Sequence, residues 1–447
     1  MLDAVLMNTS DELVAGSLEL RLPSGFELVS GGTKTAVALR GGETRTQRFV
    51  ARGDLGVRAV AEAVFRPAGT PLAFSRGRVF LVQRDGAIAG LTTAQAIDAE
   101  AVSGPNTFRL ARLPGALEAP VPSPDGNAAV KGRLTWYDAN GNLAAGRFVT
   151  VELVPAAGGQ PAAKGLTDQD GNFQISVAGA DIAGKSFVPR FTLGNERWLV
   201  KKSDKPYTWE AAALTLAGGS VVDAGDLVLP KGLPSSEAAW IHNTISKALD
   251  AFTSRSIEIG WWNRIGIEWP ADGDYYSWSE VNLTEPHQWD VIGHEFGHAI
   301  FFTGTSSQAG GGQHKIDECY SQSLAFSEGW ATFFGGVCHL DRGDADAKFQ
   351  FLVPRRAPIR IENVPADVCM GEKNEWRVSA ALWDLYDTHE DGNDKVAYDF
   401  DKIWAWMRKG NRMGSLSDFW AVIKKELPAG EIAAARDSMQ QSGVTLK

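Results

Sequence analysis

The hydrophobic pattern of the chain changes period near Pro230, and that change limits the folds open to it. Before this point apolar and polar residues alternate in short runs between Gly, Pro and Asn/Asp turns, as in GSLELRLPSGFELVSGG (residues 16–32) and DLGVRAVAEAVFRPAG (54–69). A period of two buries one face of a strand, so this half reads as all-β. The proline-rich stretch LPGALEAPVPSPDGNAA (113–129) divides it like a linker. Beyond Pro230 apolar residues recur every three or four positions. In SSEAAWIHNTISKALDAFTS, Ile241, Ile245, Leu249 and Phe252 share one helix face behind a serine cap. Two strand-like runs follow, SIEIGWWNRIGIEWP (256–270) and DYYSWSEVNLT (274–284). Helical patterns then cover Trp289 to Phe302, Asp317 to Gly335, Glu375 to Asp387, Asp399 to Lys409, Ser415 to Leu427 and Gly430 to Gln441. The expectation is a multidomain chain: two N-terminal all-β sandwiches over 1–118 and 125–230, then an α+β, mainly helical domain over 235–447.

Composition narrows the functional classes. Net charge is −10 with no basic block, which argues against nucleic acid as a partner. No apolar run approaches the ~20 residues of a membrane span. The opening MLDAVLMNTSDELVAG lacks a basic start and an apolar core, so any signal peptide is expected to be absent from this chain. The cysteines, Cys319, Cys338 and Cys369, allow at most one disulfide and a free thiol.

All seven histidines fall between His242 and His389, and two of them stand inside the apolar run WDVIGHEFGHAIFF (289–302). His294 and His298 are four apart and so share a helix face, with Glu295 beside them. Two imidazoles and a carboxylate in an apolar helix need something to offset their burial, and a divalent metal does so directly. The pattern His-Glu-x-x-His is the zinc-peptidase arrangement, in which the glutamate projects beside the metal as general base. A third ligand is offered by CYSQSLAFSEGWATFFGGVCH (319–339). There Glu328 is the one charged side chain between Glu318 and Asp341, amid Leu324, Phe326, Trp330 and Phe333. Asp317 and Glu318 compete for this role from a more polar setting. A third histidine at the short metzincin spacing is excluded, because Phe301 and Gly304 stand at the required glycine and histidine positions.

At HEFGH and SEGWATFF the chain resembles the gluzincins, zinc metallopeptidases with a distant glutamate ligand. The resemblance covers roughly Trp240 to Lys447. It implies metal ligation by His294, His298 and Glu328, general-base action by Glu295, and hydrolysis of protein or peptide substrates. The glycine-rich, methionine-glutamate-asparagine motif of one-domain aminopeptidases is missing upstream, which favours an endopeptidase acting on extracellular proteins. The segment 125–230, with its DANGN and DQDGN turns, resembles transthyretin-like or carboxypeptidase-regulatory-like domains, and 1–118 resembles an immunoglobulin-like sandwich. Such accessory domains imply a secreted, cell-surface or periplasmic bacterial setting, with a glycan or surface target for the β domains.

The oxyanion formed in peptide hydrolysis gains from a donor aimed at it. After Glu328 the candidates are His339, Tyr386, His389 and Tyr398, and Tyr386 is chosen because it follows Trp376, Ser379 and Trp383 at helical spacing. An extended substrate could add a strand to an edge formed by Ser277 to Thr284. TGTSSQAGGGQHK (303–315) suits either a rim over the cleft or a solvated connector. The acidic turn DTHEDGND (387–394) offers oxygen ligands to Ca2+, although not at EF-hand spacing. Two other readings stay open at this level: a glycoprotein-directed metallopeptidase, and a non-catalytic adhesive protein with a structural zinc.

Overall fold

A computed structural model describes the chain except for residues 9–12, 56–57, 70–74, 85–86, 102–103, 105, 124–125, 178–183, 217, 252–262, 278–279, 308–309 and 354–355. The architecture is multidomain, with many β-sheets in the N-terminal half and a helical C-terminal part. Two compact units result: Met1–Ala99 with Lys348–Arg360, and Glu100–Ala347 with Ile361–Lys447.

In the first unit, strands Leu2–Met7, Thr44–Gly53 and Phe26–Ser30 form one antiparallel sheet. Lys34–Leu39, Val14–Arg21, Arg58–Pro67, Ser75–Arg84 and Ala87–Leu91 form a second. Alternation puts Leu18, Leu20, Val37 and Leu39 of the larger sheet against Leu6 and Phe49 of the smaller, in a shared apolar core. A short helix, α1 (Thr93–Glu100), ends this stretch.

The β part of the second unit has two six-stranded sheets. One is built on Ala128–Tyr137 and Ser220–Val228, the other on Thr150–Pro155 and Ser186–Thr192. Phe173 from the first meets Phe191 from the second, with ring centres 5.3 Å apart. The two turns read from the sequence have the same build. Asp138 Oδ1 accepts from the backbone N–H of Asn140 and Asn142, and Asp168 Oδ1 accepts from Asp170 and Asn172. Gly141 and Gly171 supply the positive φ each turn needs, 84° and 83°.

A five-stranded mixed sheet then carries the fold across the change of period. Its order is Lys205–Pro206, Trp198–Lys202, Ile265–Glu268, Glu280–Asn282, Tyr275–Ser277. Strand Trp198–Lys202 comes from the β half and pairs in parallel with Ile265–Glu268. The expected strand 256–270 is thus seen only at its end, since 256–262 lie outside the described residues. The strand expected over 274–284 is a hairpin, and its outer strand is Tyr275–Ser277 rather than Ser277 to Thr284.

The helices are α2 (Pro234–Ala248), α3 (Trp289–Gly304), α4 (Gln322–His339), α5 (Glu375–Trp383), α6 (Phe400–Lys409), α7 (Leu416–Glu426) and α8 (Ile432–Gln441). Helix α2 starts one residue before the expected serine cap, with Leu233 as cap and Pro234 in the first turn, where its missing N–H costs nothing. Helix α4 starts five residues later than Asp317, because Ser321 caps it by accepting from the Leu324 N–H and a Cys319–Cys369 disulfide holds the preceding segment. Cys338 is the free thiol.

Candidate active site

Small residues bring α3 and α4 into close contact. A Cβ placed on Gly297 would stand 2.8 Å from both Cα and O of Ala331, and one on Gly293 would stand 3.1 Å from Cα of Gly335. Gly329 gives α4 the same freedom against α5, where a Cβ would meet Val378 and the Glu375 carbonyl. Side chains projecting along this seam have short distances to span.

Across it face His294 and His298 from α3 and Glu328 from α4, all three buried. His294 Nε2 lies 3.2 Å and His298 Nε2 3.0 Å from the same Glu328 oxygen, Oε2. The other ring nitrogens also have partners: His294 Nδ1 is 3.1 Å from Thr332 Oγ1 and His298 Nδ1 is 3.4 Å from Ser327 Oγ. Both Nε2 atoms thus converge on one carboxylate oxygen while the hydroxyls hold both Nδ1 atoms, a convergence that a cation between them would stabilise. Burial alone would raise the Glu328 carboxyl, but His298 and His294 hold it well below the usual carboxylate range. Two imidazoles and one carboxylate are the donor set of a zinc centre with room for a further ligand, so the residues present fit that ion.

Glu295 is buried next to this group. Burial pushes its carboxyl up to about 7; His294 opposes the rise, and Glu328 and Asp274 add to it. Of the competitors for the third-ligand role, Glu318 is solvent-exposed and pairs with Lys315 at 3.1 Å. Asp317 precedes the helix, where its backbone carbonyl accepts from Cys369.

Tyr386 lies just beyond the end of α5. Its ring packs on Phe333 and Trp383 at 6.0 and 5.4 Å, under the Arg342 guanidinium at 4.4 Å. Burial raises the pKa of its hydroxyl, and Arg342 opposes the rise. Helical spacing holds as far as Trp383, where α5 ends, so Tyr386 does not stand on the fixed helix face expected of it. The other candidates also lie elsewhere. His339 packs on Trp289 at 5.3 Å, the Tyr398 hydroxyl donates to Glu431, and His389 belongs to a separate acidic cluster.

A histidine not singled out from the sequence, His314, also reaches Glu328. It arrives on the glycine-rich segment 303–315, of which 308–309 lie outside the described residues. Its Nε2 lies 3.5 Å from Glu328 Oε2 and 3.3 Å from Glu375 Oε2, while Nδ1 is 3.0 Å from the Gly312 carbonyl. Glu375 is fully buried, and burial together with the Glu328 charge holds its carboxyl well above the usual range. His314 precedes Glu328 in the chain, on the opposite side from the donor candidates His339, Tyr386, His389 and Tyr398. A histidine ending a glycine-rich segment, five residues before a cysteine, was the available signal.

Residues 240–442, just under half of the chain, match the sequence family described as the Mycolysin C-terminal domain. The match includes His294, Glu295, His298, His314 and Glu328 and sets the helical part in a zinc-metallopeptidase context. No curated protein matches the chain. Among solved structures, a 9R-lipoxygenase from Cyanothece PCC8801 matches at 13% identity and a TM-score of 0.18, over 50% of this chain and 26% of that one. The BSP domain of a biofilm-associated protein matches at 10% identity and 0.15, over 49% and 48%. The pilus backbone of Streptococcus pneumoniae matches at 10% and 0.11, over 49% and 85%. None of these three bears on the fold or on the site. No described helix is long and apolar enough to cross a membrane.

Proposed function

We propose that the chain is a zinc-dependent peptidase, an endopeptidase acting on extracellular proteins, with its site between α3 and α4. The observation that carries this reading is the convergence of His294 Nε2 and His298 Nε2 on one buried Glu328 oxygen, with Glu295 alongside. His294, His298 and Glu328 would hold the ion, which when bound supplies Lewis-acid polarisation and a lowered water pKa.

The chain's own residues then have distinct tasks. Glu295, buried beside His294, is the residue we assign as general base, taking a proton from the attacking water and passing it to the leaving amine. Thr332 and Ser327 orient the two imidazoles. His314, at the mouth of the site between Glu328 and Glu375, is the residue we assign to the substrate carbonyl oxygen. Its Nε2 faces the Glu328 and Glu375 carboxylates while Nδ1 lies at the Gly312 carbonyl. Tyr275–Ser277 forms one edge of the five-stranded sheet, and an extended substrate strand can pair there through main-chain hydrogen bonds.

The test is a cleavage-site profile of the zinc-loaded protein on denatured mixed proteins. Internal cleavages that disappear in Glu295→Gln are expected. Absence of cleavage by a protein holding one zinc at the motif would refute the reading.

A further inference from the structure

A second group of ligand-type side chains converges where the chain turns after α5. Glu362, Asp387 and His389 each offer one ligand atom, and these atoms all lie within 4.8 Å of one another. Asp394 adds a carboxylate beside Asp387. Asp387 and Asp394 are each 1% exposed. Among the described residues, both oxygens of Glu362, Oδ1 of Asp387, Oδ1 of Asp394 and Nδ1 of His389 are shut off from solvent without a hydrogen-bond partner. Leaving several buried polar atoms of one small cluster unpaired is costly, and the group contains no cation to offset three carboxylates. Asp387 lies against Asp394 and Glu362 against Asp391, carboxylate to carboxylate, an approach that a shared cation would offset.

We propose that Glu362, Asp387, His389 and Asp394 bind a second divalent cation, separate from the motif site. An imidazole nitrogen among carboxylate oxygens favours a borderline ion of the zinc and manganese kind over calcium, which prefers oxygen alone. This departs from the calcium reading of the 387–394 turn, which counted acidic oxygens but had no means of bringing Glu362 and the ring of His389 to the same point. The ion joins three segments: the one that follows Ile361, the turn after α5 and the loop before α6. Neighbouring acids tie that turn to the C-terminal helix, since Ser442 Oγ donates to Asp384 Oδ2 at 2.6 Å and Gln441 Nε2 to Asp391 Oδ1 at 2.9 Å. Helix α5 in turn packs on α4 beside Gly329. The ion therefore braces the support of Glu328 without touching substrate, and the proposal does not depend on the peptidase reading.

The full chain is stripped with chelator, reloaded by dialysis against micromolar zinc and assayed for metal content and Tm. Two ions per chain are expected in the wild type. Glu328→Ala removes the motif site, and also the His314–Glu328–Glu375 group that shares its carboxylate; it should keep one ion and still gain several degrees of Tm on adding zinc. Adding Asp387→Asn or, separately, His389→Ala to Glu328→Ala should abolish both the ion and the Tm gain. One ion in the wild type and none in Glu328→Ala would overturn the proposal. So would an ion retained in Glu328→Ala/His389→Ala, or calcium protecting Glu328→Ala as well as zinc does whether or not His389 is present.

Discussion

Replacing Gly297 with alanine tests whether the α3–α4 contact sets the metal geometry. The new Cβ would meet Ala331 Cα and O at 2.8 Å, and both are backbone atoms that cannot rotate away. Restoring an ordinary contact of 3.4 Å requires the helices to part by about 0.6 Å. Gly297 adjoins His298, and Ala331 lies one turn from Glu328, so the parting acts directly on the 3.0 Å approach of His298 Nε2 to Glu328. Metal–ligand distances tolerate only about 0.2 Å, so the ligand set should be spoiled well before the fold is. The overpacking costs about 1–3 kcal/mol, and alanine's better helix propensity returns up to about 1 kcal/mol, so a modest fall in Tm is expected. Zinc affinity, measured by competition with a chromophoric chelator, should fall by at least about tenfold. Gly311→Ala, whose Cβ meets nothing within 4 Å, serves as the control. Zinc affinity within twofold of wild type in Gly297→Ala, together with a raised Tm, would refute the reasoning.

Other expectations are open to direct measurement. Glu295→Gln should retain about one motif zinc per chain and lose hydrolysis by at least about a hundredfold in kcat; turnover by the metal-loaded variant would remove Glu295 from the chemistry. Glu328→Ala should lose the motif zinc while Glu318→Ala binds it normally, and metal analysis in the opposite order would move the third ligand to the segment before α4. His314→Ala should lower kcat by about ten- to a thousandfold with zinc content unchanged, whereas Tyr386→Phe should leave kcat near wild type; the reverse pattern would return the donor role to Tyr386. His242 is neutral and buried, accepting from Trp198 Nε1 at Nδ1 and contacting the Arg147 carbonyl at Nε2, and burial holds its pKa down to about 4. Its folded pKa lies below the unfolded value of about 6.5, so its contribution is complete above pH 6.5 and lost as pH falls toward 4, by about 3 kcal/mol. Urea unfolding between pH 7 and pH 4.5 should show this loss, with a shallower slope in His242→Gln; an unchanged slope would mean that His242 takes up protons equally in both states.

The residues of the proposed zinc site could be picked out in the chain itself, because the spacing of three of them is local. His294, Glu295 and His298 lie within five positions, and 3.6 residues per turn places the two imidazoles on one face before any neighbour is known. Glu328 could be read from the apolar residues around it, since an isolated carboxylate in such a run calls for a partner. The turns at Asp138 and Asp168 were equally readable, as a short side chain closes each on its own backbone. Nothing in the sequence, however, specified that Trp198–Lys202 would pair with Ile265–Glu268 across the change of period, because strand pairing depends on loop closure rather than on local pattern. Where α5 ends was also decided outside the helix, and with it the packing of Tyr386 on Phe333 and Trp383 beneath Arg342. His314 and Glu375 meet Glu328 from segments 61 residues apart, fastened by the Cys319–Cys369 bridge that lies between them. The second cluster likewise assembles only when Glu362 folds back onto Asp387. Local geometry can be deduced from spacing, but which distant groups share a buried volume is settled only by the packing of the whole unit.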